Sequence, residues 1–239
     1  MSATESAPLW KAALAELIGT FTLIFIGAGA ILSDVLTGGK VGLTGIALAH
    51  GVAIATMVSA AGHLSGGHFN PAVTGAFVAS GRMAVGTGLA YVAAQLVGAL
   101  LGAFFLMAAF PEAVRKTAML GVPLLAQGVS SGTGIVVEAI LTFFLVFVIF
   151  GTAVDARGPK AAGGLFIGLV IAMDILAGGA LTGAAMNPAR AFGPALVSGQ
   201  WLGHVVYWIG PILGAILAAL LWQYVLLPKT PPPRRRRTD

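Results

Sequence analysis

Six apolar stretches dominate the sequence, near residues 9–33, 41–61, 83–110, 132–154, 162–182 and 203–227. Each reaches the roughly 20 residues an α-helix needs to cross a hydrocarbon core about 30 Å thick. In lipid every backbone N–H and C=O must be paired inside the protein, so segments of this kind are confined to helices. Composition agrees: 58% of the 239 residues are hydrophobic and 9% charged, against about 25% charged in a soluble domain. A monomeric water-soluble globule and a disordered chain are both excluded. The first stretch outruns a signal-peptide core and carries Glu16, so it is read as an uncleaved helix. An even number of crossings leaves both termini on one side.

Charge gives the orientation. Five of the 13 basic residues (Lys229 and Arg234, Arg235, Arg236, Arg237) and one of the 8 acidic ones (Asp239) lie in the last eleven positions, so the net charge of +5 belongs to the tail and the body is nearly neutral. That distribution argues against nucleic acid as a partner and for a basic, disordered end that orients the chain beside the lipid bilayer. With both termini in the cytoplasm, Lys11, Arg82, Arg157, Lys160 and the tail stand on that side, and only Lys40, Arg115 and Lys116 on the other. This satisfies the positive-inside bias. Glycine, at 34 residues, is about twice as frequent as the usual 7%, which suits closely packed transmembrane helices. Cysteine is absent, so disulfides, thiolate metal sites and thiol-directed mercurial block are excluded.

Two further apolar stretches, GHLSGGHFNPAVTGAFVASG and GGALTGAAMNPARAFGPALVSG, are too short to cross. Each has about ten helix-compatible residues after an irregular, Gly-rich lead, and irregular backbone at membrane depth must be buried in protein or line water. They are expected to be re-entrant half-helices. Laying residues 15–30 on 137–153 superposes Glu16 on Glu138, and further on Asn70-Pro71-Ala72 meets Asn187-Pro188-Ala189. The chain is a duplication whose unit has three spans, so the second copy is inverted. The expected architecture is an all-α membrane protein of six transmembrane helices and two re-entrant half-helices in two inverted three-helix repeats. The repeats cover about 9–114 and 130–228 of a transmembrane region 9–228, flanked by a cytoplasmic segment 1–8 and the cytoplasmic tail 229–239.

Twin NPA motifs in inverted repeats, a Glu in spans one and four, and NPARAFGPAL followed by HVVYWIGP together resemble the aquaporin (major intrinsic protein) family over nearly the whole chain. The resemblance implies a homotetramer with one pore per subunit, no cofactor, no metal and no catalytic residues. Its partners would be water and small neutral solutes.

The residues suit such a pore on physical grounds. Asn is a preferred helix N-cap and Pro a preferred first helical residue, so Asn70 and Asn187 should cap their half-helices with the side-chain oxygen and leave the amide nitrogen free to donate to a passing water. The two amino ends, each carrying about half a positive charge, should meet near the midplane and repel cations and hydronium. The leads Gly66, Gly67, His68, Phe69 and Gly183, Ala184, Ala185, Met186 are expected to be extended and to turn carbonyls to the pore. His68 reads as a loop-packing group, and His63 as a lining group of the cytoplasmic mouth or a plain hydrogen-bonding one. Glu16 and Glu138 must face the bundle, with the N–H groups of the re-entrant loops as natural partners.

In the resembling family the narrowest ring takes one residue from span two, one from span five and two from the second half-helix region. Here these are His50, Ile175, Ala184 and Arg190. This ring is similar to the tonoplast-intrinsic and aquaammoniaporin branches, which implies water with ammonia, and also hydrogen peroxide or urea. Ala191 and Ala195 stand where glycerol facilitators carry Asp and a basic residue, which disfavours linear polyols. The segment 115–131 has no His, unlike many ammonia-selective members. Asp174 is expected to hydrogen-bond another helix in neutral form, or to act electrostatically on Arg190 or His50. An imidazole of ordinary pKa, about 6.5, at His50 predicts flux that falls on acidification. The alternatives are a strictly water-selective channel and, more remotely, an ion-coupled transporter using one of the buried acids. The expected location is a microbial plasma membrane.

Overall fold

The computed structural model describes residues 7–228, so most of the segment 1–8 and all of the tail 229–239, both expected to be cytoplasmic, lie outside the described residues. Six helices are long and apolar enough to span a membrane: Leu9–Leu36, Gly42–Ser65, Val85–Ala109, Ser131–Val154, Lys160–Thr182 and Val206–Leu226. They are called spans one to six. Two half-helices, Pro71–Ala79 and Pro188–Ser198, follow spans two and five. The long connection between spans three and four holds a short helix, Glu112–Thr117, and a 3-10 turn, Met119–Gly121.

Several boundaries differ from the hydropathy reading, span one for instance running on to Leu36, and two of them have a clear backbone cause. Span two runs on past residue 61 through polar His63 and Ser65, and stops only where Gly66 takes a left-handed conformation, φ 90°. Span six starts at Val206 and not at 203, because Gly203 is left-handed, φ 66°, and breaks the approach into a turn. Hydropathy follows side-chain chemistry, whereas the backbone conformation decides where the helix ends.

The duplication is visible in the packing. Span one packs on span three as span four packs on span six, and spans two and five cross each other. The first half-helix lies against span six and the second against span three. Glycines make these crossings possible. A methyl group on Gly98 would strike the Leu17 carbonyl, and one on Gly214 the Ala139 carbonyl at the equivalent place in the other half. Gly51 and Gly168 meet each other's carbonyls where spans two and five cross. Small residues at such contacts bring backbones together where lipid supplies no hydrophobic drive. The outward faces carry large apolar side chains, among them Trp10, Val52, Leu89, Phe104, Val136 and Leu217, all exposed. In water this would be untenable over so much surface; in a bilayer it is the solvated state.

The spans are not uniform α-helices. Each of spans one, four and six contains a π-turn, at Ile24–Ala28, Phe150–Val154 and Trp222–Leu226 respectively.

Candidate functional site: a channel between the half-helices

Both half-helices begin where the sequence places their caps. Asn70 Oδ1 accepts from Ala72 N at 2.9 Å, and Asn187 Oδ1 accepts from Ala189 N at 3.0 Å and Arg190 N at 3.2 Å. Pro71 and Pro188 occupy the first turn, where a missing N–H is no loss. The amide nitrogens are not left wholly free. Asn70 Nδ2 donates to Met186 O at 2.8 Å, and Asn187 Nδ2 donates to Phe69 O at 2.9 Å. The two amino ends are thus cross-bonded, and each amide keeps one of its two N–H bonds for another acceptor.

The leads are not extended. Gly66, Gly67 and Phe69 have φ of 90°, 67° and 50°, and Gly183, Ala184 and Met186 have 83°, 43° and 51°. The same three places in each repeat are left-handed. For a residue with a Cβ this costs about 1–2 kcal/mol, so Phe69, Ala184 and Met186 are held there by something. For Phe69 and Met186 that holder is the buried glutamate of their repeat, whereas Ala184 N donates to Thr182 Oγ1 at 3.1 Å. Glu16 Oε1 accepts from Ser65 Oγ at 2.6 Å and His68 N at 2.9 Å, and its Oε2 from Phe69 N at 2.6 Å. Glu138 repeats the pattern with Thr182 Oγ1 at 2.7 Å, Ala185 N at 2.9 Å and Met186 N at 2.7 Å. Both glutamates are fully enclosed, and they lie in different halves, so they form no acid–base pair.

Sequence inspection missed the outer supports of these loops. Tyr91 and Tyr207 donate to the carbonyls of Ser65 and Thr182 at 2.9 and 2.8 Å. Gln95 has no equivalent in the second half. Its Nε2 donates to Glu16 Oε2 at 2.7 Å and to Thr74 Oγ1 at 3.0 Å. The Thr74 hydroxyl, which accepts that bond, is also hydrogen-bonded to His68 Nδ1 at 3.1 Å. A polar residue in the middle of span three was the available signal for Gln95.

One cavity runs between the halves. It is lined by His50, Ile175, Ala184, Ala185, Arg190, both NPA asparagines, Gly67, His68 and Met186, with Leu23, Ile54, Val73, Leu145, Ile149, Ile167 and Ile171 completing an apolar wall. About 30 Å³ within it is open, room for a couple of water molecules at the ~10–15 Å³ each needs. His68 therefore borders the cavity as well as packing on Phe77 at 4.4 Å between ring centres. Gly66, Phe69 and Gly183 do not border it; the Phe69 ring is turned onto Gly19. His63 is exposed at the end of span two, away from the cavity.

Arg190 is buried and held by two acceptors. Its Nε donates to His50 Nε2 at 3.1 Å and its Nη1 to Gly121 O at 2.8 Å. Arginine has no acceptor atom, so His50 Nε2 carries the lone pair, and Nδ1 donates to Ile46 O at 2.8 Å. Both imidazole nitrogens are committed. Three of the five guanidinium N–H bonds stay available to a solute. Gly121 lies in the segment where the sequence had been searched only for His.

Asp174 does not form the expected hydrogen bond to another helix. It is buried beside Ile175 but does not border the cavity, and its Oδ2 is enclosed without a partner among the described residues. No residue lining the cavity is acidic.

Comparison with known proteins follows the geometry. The family model described as Major intrinsic protein matches residues 3–222. The chain is 48% identical over 222 residues to aquaporin TIP4-4 of Zea mays, covering 89% of this chain and 85% of that one. It is 42% identical over 240 residues to the probable aquaporin TIP3-2 of Arabidopsis thaliana, with 95% and 88% covered. Against aquaporin-4 of Mus musculus the identity is 40% over 233 residues, with 95% and 70% covered. The fold is that of the X-ray structure of the aquaglyceroporin from Plasmodium falciparum, with a TM-score of 0.84 at 23% identity over 92% of this chain and 97% of that one. With twin capped half-helices in an inverted duplication and a family match over nearly its whole length, the chain belongs to the major intrinsic protein family.

Proposed function

We propose that the chain is a passive channel for water that also passes ammonia and excludes protons and ions. The observation that carries this is the lining of the cavity: two asparagine amides at the meeting of two helix amino ends, one arginine near them, and no carboxylate. Each asparagine retains one N–H. A water donated to by both has its two lone pairs occupied, so its hydrogens point away and cannot relay a proton. The summed helix-end charges and Arg190 both repel cations along this cavity. An ion-coupled transporter would need an acid facing the solute path, and Glu16, Glu138 and Asp174 all face elsewhere.

The ring of His50, Ile175, Ala184 and Arg190 sets the solute. His50 accepts from Arg190 through Nε2 and donates through Nδ1 to Ile46 O, so neither nitrogen is left for the solute, and Ile175 adds an apolar group to the lining. Donors come from the guanidinium. A wall with few acceptors and three free donors favours small molecules that accept, as ammonia and water both do. The strictly water-selective reading draws on Gly121, whose carbonyl takes the Arg190 bond from a segment lacking any His.

The test is stopped-flow light scattering on proteoliposomes after an osmotic shock, then an ammonium gradient read by an internal pH dye. The wild type is compared with His50→Phe/Ile175→His. Wild type passing both solutes, with the double variant keeping water alone, supports the proposal; wild type passing water alone overturns the ammonia half. The basic residues favour cytoplasmic termini through the positive-inside bias, and we propose a homotetrameric assembly. The apolar groove between spans four and five, lined by Phe147, Phe166 and Met173, offers a surface for a neighbouring subunit. The sequence relatives named above come from Zea mays, Arabidopsis thaliana and Mus musculus, and none of those three supports the expected microbial plasma membrane.

A further inference from the structure

The π-turn of span one, Ile24–Ala28, lies behind the Arg190 site. Such turns add a residue to a helical turn and are frequent at functional sites. Two consecutive residues of this one back the two groups that hold Arg190. A Cβ placed on Gly27 would lie 2.5 Å from Cδ2 and Nε2 of His50 and 2.9 Å from Cε1. The imidazole edge that accepts from Arg190 therefore rests directly on the Gly27 backbone. Ala28, fully buried, meets Gly121 in the same way: a Cβ on Gly121 would lie 2.8 Å from Ala28 Cβ and 3.1 Å from its Cα. Gly121 O is the other acceptor for Arg190.

We propose that this π-turn is the positioning element of the filter, in which Gly27 and Ala28 set where His50 and the Gly121 carbonyl stand, and so where the Arg190 guanidinium sits and how wide the ring is. The proposal rests on the assignment of His50 and Arg190 to the filter. The two acceptors arrive from unrelated parts of the chain, span two and the connection after span three. Span one is the structure both touch. Glycine at 27 lets the imidazole edge rest against backbone; a side chain there meets the ring and must displace it.

The experiment is a double-mutant cycle. Gly27→Ala is made in the wild type and in His50→Ala, and water and ammonia permeabilities are measured on proteoliposomes of equal protein content. In the wild-type background the ratio of the two permeabilities is expected to change about threefold or more, whereas in His50→Ala it stays nearly constant, because the vacated space takes the methyl group. An equal change in both backgrounds, or none in the wild type, would overturn the proposal. If Gly27→Ala alone does not assemble, recovery in the double variant supports the steric coupling and failure of both overturns it. Ala28→Val pushes on Gly121 and not on His50, so it should shift the ratio alike in both backgrounds; no shift would overturn the Gly121 half. A wild type that passes no ammonia would refute the ammonia reading separately, and the cycle is then read on water flux.

Discussion

Replacing Glu138 by Gln tests whether a buried carboxylate holds the second re-entrant loop. In the wild type Oε1 accepts from Thr182 Oγ1 and Ala185 N, and Oε2 from Met186 N. A glutamine oriented with its oxygen toward the first pair keeps two acceptor bonds but turns an NH2 group toward the Met186 N–H. That donor is then buried and unpaired, a loss of about 1–3 kcal/mol, and the two retained bonds lose their charge assistance, about 1 kcal/mol each. The total is about 4 kcal/mol, which for a chain of this size lowers Tm by roughly 10 °C. Met186 also sits at φ 51°, a strain of about 1–2 kcal/mol that the lost bond no longer opposes. Its carbonyl accepts from Asn70, so relaxation at Met186 disturbs the asparagine of the other half and water flux falls too. Thermal unfolding in detergent and stopped-flow water permeability, side by side, make the check. Unchanged Tm together with wild-type water flux in Glu138→Gln would refute the claim that the carboxylate holds the loop.

Three other outcomes follow from the geometry. Arg190→Val places at 190 the residue found at the equivalent position 73 and removes the cavity's charge; water flux should persist while proton leak under an imposed pH gradient rises, and an unchanged leak would count against the arginine as a barrier. Water permeability should stay level between pH 8 and 5, contrary to the expectation from an ordinary histidine, because His50 Nε2 already accepts from Arg190 and Nδ1 is bonded to Ile46 O; a flux that titrates in that range and is lost in His50→Ala would show the arrangement to be wrong. In the connection after span four, Arg157 donates to both oxygens of Asp155 and holds its carboxyl at about 2, below the usual value of about 3.9. Its stabilising contribution is present above about pH 4 and fades as pH falls through about 2. Arg157 also bonds Leu226 O at the end of span six, so pepsin should cut residues 155–162 of Asp155→Asn at pH 4, where the wild type resists.

The spans, the duplication and the two half-helix caps were legible in the sequence because each depends on short-range physics. Runs of apolar residues must become helices in lipid, Asn before Pro starts a helix whatever surrounds it, and the spacing of Glu and NPA in the two halves reveals the repeat. Of the boundaries that slipped, those at Ser65 and Val206 are where a left-handed glycine and not hydropathy ends the helix. The loops depart from the sequence reading for a related reason. Extended backbone is expected of the leads, yet the glutamate of each half draws successive N–H groups onto one carboxylate and holds Phe69 and Met186 at positive φ, while Ala184 N donates to Thr182 Oγ1.

What tertiary structure alone decided is the set of partners across long sequence distances. That Asn70 bonds the Met186 carbonyl, that Arg190 is divided between His50 and Gly121, and that Gln95 closes a chain through Thr74 to His68 depends on which helices cross and at what depth. No periodicity or motif encodes those crossings. They are set by glycines whose missing Cβ lets one backbone approach another, and that contact exists only once both halves have packed.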